Sequence, residues 1–103
     1  MKIINLTPHA ITAAGRTFAP SGTVARVSVT RAKVGDIDGI PAFRPTFGPV
    51  QDLPDATPDC VLIVSAMVRT HPDVANRADV ASPGALVRDD AGQIIGCDGL
   101  DFN

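Results

Sequence analysis

Apolar and polar residues alternate most cleanly over Val24–Val29. Ala25, Val27 and Val29 share one face of an extended chain, and Val24, Arg26 and Ser28 share the other. This predicts a strand with one buried face. A shorter strand opens the chain at Ile3–Leu6, with Ile4 and Leu6 inward. Ile11–Ala13 and Arg16–Ala19 flank Ala14-Gly15, where glycine supplies the positive φ of a tight hairpin turn. Asp38-Gly39 is a stronger two-residue turn signal between Val34–Ile37 and Ile40–Phe43, and Pro41 makes the second of these an edge strand. From Arg44 to Asp59 the prolines at 45, 49, 54 and 58 predict a short strand around Thr46-Phe47 and then a long irregular connection.

Cys60–Val64 is a continuous apolar run rich in β-branched residues, the pattern of a strand buried on both faces. Ser65 is placed to N-cap a short helix over Ala66–Thr70 that stops before Pro72, with a second helical turn over Asp73–Arg77. Strands over Ala78–Val80, Ala85–Arg88 and Gln93–Cys97 complete the reading. The expected fold is a compact α+β domain over residues 1–103, mainly antiparallel β-sheet with one or two short helices. Its expected core is Ile4, Leu6, Val27, Val29, Leu62, Val64, Val68, Val80, Leu86 and Ile94.

Composition agrees with little helix. All eleven acidic residues are Asp, a residue of caps and turns, and nine Gly and nine Pro point the same way. Seven of the nine basic residues are Arg, which grips carboxylates and phosphates with a planar fork. Codon usage in a GC-rich genome would produce the same bias. The net charge of −2 and the lack of Trp and Tyr argue against nucleic acid as a partner. The apolar run from Val61 to Val68 is too short to span a bilayer, and the amino-terminal residues lack a secretory pattern, so a cytoplasmic protein with no membrane partner is expected. Cys60 and Cys97 read as two buried thiols, with Cys97 the more open.

No known catalytic motif is present. The two histidines and two cysteines lack metal-ligand spacing, and no cofactor or metal is expected. Ser65 lacks the flanking glycines of a nucleophile elbow and reads first as a helix cap. The turns at Pro20–Thr23 and Ser82–Gly84 are either ordinary turns or small anion nests of backbone N–H groups, and Arg26, Arg44, Arg77 and Arg88 are either solvated surface arginines or strand-end arginines that converge on phosphate or carboxylate. Thr7-Pro8-His9 is either a plain strand–turn–strand corner or the polar wall of a pocket.

The segments INLTPHAI, PSGTVARVSV, DGIPAFRPTFGPVQDLP, LIVSAMV and LVRDDAGQIIGC together resemble small proteins of bacteriophages, prophages and some actinobacteria that begin with an NLTPHAI-type segment. The similarity covers nearly the whole chain and implies a setting, a host cell cytoplasm, rather than an activity. By analogy of size and lifestyle with phage proteins that sequester nucleotide-derived immune signals, the first expectation is non-enzymatic binding of a small anionic ligand of ADP-ribose type. The expected site is Thr7 and His9 for polar contacts, Arg26 and Arg88 for phosphate, Asp79 for a ribose hydroxyl or amine, and Ser65 beside them. A homo-oligomer would enlarge such a pocket. The rival expectation is a protein-interaction module, a phage inhibitor of a host protein or a small virion component, anchored by Phe43, Phe47 and Leu53. A hydrolase using His9 or Asp79 as base is the third. In the ligand reading, Thr7-Pro8-His9 borders the same concave surface as Arg26 and Arg88.

Overall fold

Three runs of β-branched and aliphatic residues set the frame of the molecule. The computed structural model describes residues 1–103. β1 (Lys2–Asn5), β6 (Cys60–Ile63), β7 (Val80–Pro83) and β10 (Leu100–Phe102) form the first sheet in the order β1-β6-β7-β10. The first three strands run parallel and β10 is antiparallel to β7. Leu62 and Val64 face one side of this sheet and Ile63 the other, and all three are buried. The reading of Cys60–Val64 as a doubly buried strand therefore holds. Ser65 caps α1 (Ala66–Arg69), accepting a hydrogen bond from the Val68 N–H. Val68 turns back onto Leu6, Ala25, Leu62, Val64, Val74 and Val80, which form the core.

The second sheet has the order β3-β2-β9-β8, from β2 (Ile11–Ala13), β3 (Arg16–Phe18), β8 (Leu86–Arg88) and β9 (Ile94–Cys97). Ala14 and Gly15 both have positive φ, as the two-residue turn between β2 and β3 requires. The fold is thus mainly β with one short helix, and no helix is long and apolar enough to cross a membrane.

β4 (Arg26–Ile37) and β5 (Ile40–Gln51) pair only with each other. Each is 12 residues long, so the hairpin reaches about 40 Å. Asp38 and Gly39, with φ of 50° and 79°, close its tip. This arm leaves the body and raises the radius of gyration to 16.5 Å, against about 13 Å for a compact chain of this length.

Several expectations change here. β5 does not end at Phe43; it runs through Pro45 and Pro49 to Gln51. Prolines are tolerated because β5 is an edge strand. Pro45 has no N–H, so its pairing with Arg31 is one whose backbone groups point away from the partner strand. Pro41, opposite Asp36, removes a second outward donor, and the β5 edge is thereby blunted against strand addition. Val29, Leu86 and Ile94 are not core residues but are 46%, 58% and 55% exposed. Their alternation is real, but no second layer covers the faces they occupy. Asp73–Arg77 forms turns and not helix, and the strand expected at Ala78 starts at Val80.

Candidate functional site

The body meets the root of the arm along a groove. Leu6 O accepts from the Ala25 N–H, which brings the start of β4 beside the corner after β1. Thr7, Pro8, Arg26, Val27, Ser65 and Met67 line a recess of about 380 Å³ there. Past Val27 and Met67 it continues into a wider concavity of about 700 Å³, bordered by Pro45, Phe47, Thr70 and His71.

The corner itself is built by Asn5, which is buried. Its amide nitrogen donates to the carbonyls of His9 (2.7 Å) and Phe18 (2.9 Å). Its Oδ1 accepts from the Thr7 N–H (2.9 Å) and the Thr7 hydroxyl (2.6 Å). That uses both donors and both lone pairs of the side chain. The single proton of the Thr7 hydroxyl, which is also 2.9 Å from His9 O, is committed to the corner, leaving only its lone pairs for a ligand. The sequence pattern did not single out Asn5; only its place before a Thr-Pro pair hints at a turn-making amide.

Of the six expected site residues, the groove collects Thr7, Arg26 and Ser65. Arg26 is exposed and takes no part in the ion pairs, which are Lys33–Asp36 and Arg77–Asp79. Ser65 is exposed while its oxygen caps α1. The other three lie elsewhere. His9 is exposed and does not line the groove. Arg88 closes β8 at the edge of the second sheet, donating to Gly92 O across its own turn at 2.9 Å. Asp79 precedes β7, toward the opposite end of the parallel strands from Ser65.

Asp79 is held by Arg77 through two hydrogen bonds of 2.8 Å, Nε to Oδ1 and Nη2 to Oδ2. The hydrogen bonds from Arg77 hold the Asp79 carboxyl below the usual carboxylate range, over the opposing cost of burial, and Asp79 in turn raises Arg77. Arg77 Nη2 also reaches Pro54 O, pinning the irregular connection to the body. Neither cysteine is exposed. Cys97, expected to be the more open, is the more buried of the two, and its thiol points at the carbonyls of Thr12 and Gly99. No three His, Cys, Asp or Glu side chains gather where they could hold a metal ion.

The arm offers a second candidate surface. Residues opposite each other on paired strands share a face, so Val29 with Phe47, Arg31 with Pro45, and Lys33 with Phe43 form one continuous side. The Arg31 guanidinium lies 4.2 Å from the centre of the Phe43 ring, on that same side. Phe43 and Phe47 are 42% and 53% exposed, and Ile37 and Ile40 stand open at the tip. No protein-family model, curated protein or solved structure matches this chain.

Proposed function

We propose that this chain is a protein-interaction module whose working element is the β4–β5 arm. The observation that carries the reading is the uncovered arm face of Val29, Phe43 and Phe47 interleaved with Arg31 and Lys33. Aromatic and arginine anchors on an exposed face are what a binding hot spot is made of. A two-stranded ribbon on its own is marginal in water, so a face of this length gains most when a partner covers it. In the phage setting that the sequence resembles, such a module is an inhibitor docked on a host protein or a small virion component. A photo-reactive residue in place of Phe43 tests this in producing cells. A specific protein adduct is expected; adducts no different from those of the same probe at Asp55 on the body would end the interaction reading.

One observation favours a second reading, capture of a small anionic ligand such as a nucleotide-derived immune signal. Thr7, Arg26 and Ser65 do share one groove. It ranks second because Arg26 is the only basic residue among the nine that line the recess. Phosphate sites draw instead on several charge-assisted donors. A thermal-shift screen against mono-, di- and cyclic nucleotides decides it. Saturation at about a hundredfold excess over Kd adds about 2.7 kcal/mol of stability. No shift with any of them removes the ligand reading.

A further inference from the structure

We infer that the surface covered by the arm belongs to a second copy of this chain, and that it is the β8–β9 hairpin. This rests on the reading of the arm as an interaction element and names its partner.

The first ground is area. The chain exposes 6780 Å², whereas a compact monomer of 10.7 kDa exposes about 5,500 Å². The surplus, about 1,300 Å² per chain, exceeds the roughly 800 Å² per partner that a standard stable interface buries. Strands and turns run from Lys2 to Phe102, so the surplus reflects missing layers and not a long tail.

The second ground is where the missing layers are. Successive strand residues point to opposite faces. On β8, Leu86 and Val87 are both exposed, and on β9 so are Ile94 and Ile95. Leu86 and Ile94 border one shallow hollow, and Val87 and Ile95 border another on the opposite side. This hairpin is therefore apolar and uncovered on both faces, which a sheet within one folded layer pair is not.

The third ground is charge. Residues 26–51 carry Arg26, Arg31, Lys33 and Arg44 against Asp36 and Asp38, a net +2. The chain as a whole is −2, so the body is −4. Around the exposed isoleucines the body presents Asp89, Asp90 and Asp98 against Arg88. An apolar face studded with cations on the arm thus matches an apolar hairpin rimmed with carboxylates on the body. Since the arm points away from its own body, the match is met by another copy. The two patches differ, so a twofold pair makes the contact twice, each chain giving one arm and one hairpin.

The test uses the purified full-length chain. Light scattering and sedimentation should give a closed oligomer at micromolar concentration. Arg31→Glu and Asp90→Lys each reverse one exposed charge that makes no structural hydrogen bond. Each should weaken self-association about tenfold, with unchanged circular dichroism. An equal mixture of the two variants should recover association, because the reversed arm then meets a reversed hairpin while the other contact keeps its original charges. A monomer across the accessible concentration range overturns the inference, as does a mixture that associates no better than either variant alone. If the purified chain is monomeric while the Phe43 probe captures a different protein in cells, self-association falls and the interaction reading stands. If the probe captures nothing either, both fall.

Discussion

His71 Nε2 lies 2.9 Å from Gly48 O, so the turn after α1 grips the root of the arm. His71 Nδ1 lies 3.1 Å from the Asp73 N–H and accepts from it. A neutral imidazole with its proton on Nε2 satisfies both bonds at once. The histidine is therefore a fastener between body and β5, a role that nothing in its sequence neighbourhood indicates.

His71→Ala should cost about 1 kcal/mol, the typical net value of one hydrogen bond, and lower Tm by about 4–8 °C. His71→Gln, which keeps an N–H donor, should recover part of that loss. Amide exchange at the β4–β5 root reads the effect directly. Unchanged protection around Val27 and Val50 in His71→Ala would show that the arm is held without it.

Gly96 is fixed by a close approach. Its φ is 151°, and a Cβ built there would sit 2.6 Å from Thr12 O. β2 and β9 meet through the pairing of Ala13 with Cys97, so any added atom drives the two halves of the second sheet apart. Gly96→Ala should destabilise by about 2–3 kcal/mol. Gly15→Ala, with nothing within 4 Å of the added carbon, carries only the backbone penalty of about 1–2 kcal/mol. Denaturant midpoints at unchanged slope compare the two; equal losses would mean that the Thr12 contact is not what excludes a side chain.

The Arg77–Asp79 pair gives stability a pH dependence of known sign. Asp79 has its folded pKa held below the ordinary carboxylate value by the hydrogen bonds from Arg77. Its contribution is fully present above the unfolded pKa, about 3.9, and is lost as pH falls through the lower folded value. Asp79→Asn should therefore be the less stable protein at neutral pH, by about 1.5–3 kcal/mol for charge-assisted bonds, and the gap should narrow in acid. Urea unfolding at several pH values measures it. A gap independent of pH would place the effect in packing and not in the ion pair.

What the sequence makes legible follows from how local the cause is. The Ala14-Gly15 and Asp38-Gly39 turns, the Ser65 cap and the buried run from Cys60 are each specified within a few residues, and each is found. Alternation over Val24–Val29 signals the strand and its covered face at Ala25 and Val27, yet not how far along the strand that cover extends. Covering depends on a second layer, and for Val29 none exists within the chain. The prolines of β5 suggest a loop because proline is usually an interruption, but on an edge strand the missing N–H faces outward and costs no ladder bond. Of the candidate site, Thr7, Arg26 and Ser65 come together because β1, β4 and β6 converge near the corner. Asp79 and Arg88 do not line this groove, since one is at the other end of the sheet and the other on a different sheet. No local pattern encodes those placements.

The arm makes the last prediction, because stability and association there should separate. Phe43 and Phe47 are about half exposed and lie outside the buried core. Phe43 also makes the contact with Arg31, an exposed cation–π pair that contributes about 0.5–1 kcal/mol. Replacing both by serine removes apolar area that the isolated chain never withdraws fully from water. Measured on dissociated protein, the double variant Phe43→Ser, Phe47→Ser should therefore cost clearly less than the roughly 6–10 kcal/mol that truncating two fully buried phenylalanines would. In association it should behave differently, since two aromatic anchors at an interface are worth about 2 kcal/mol or more each when truncated. Stability by denaturant unfolding and complex formation by light scattering are the two readouts. Unfolding costs of that full size would make the phenylalanines part of a core, and undiminished association would mean that the arm face is not where a partner binds.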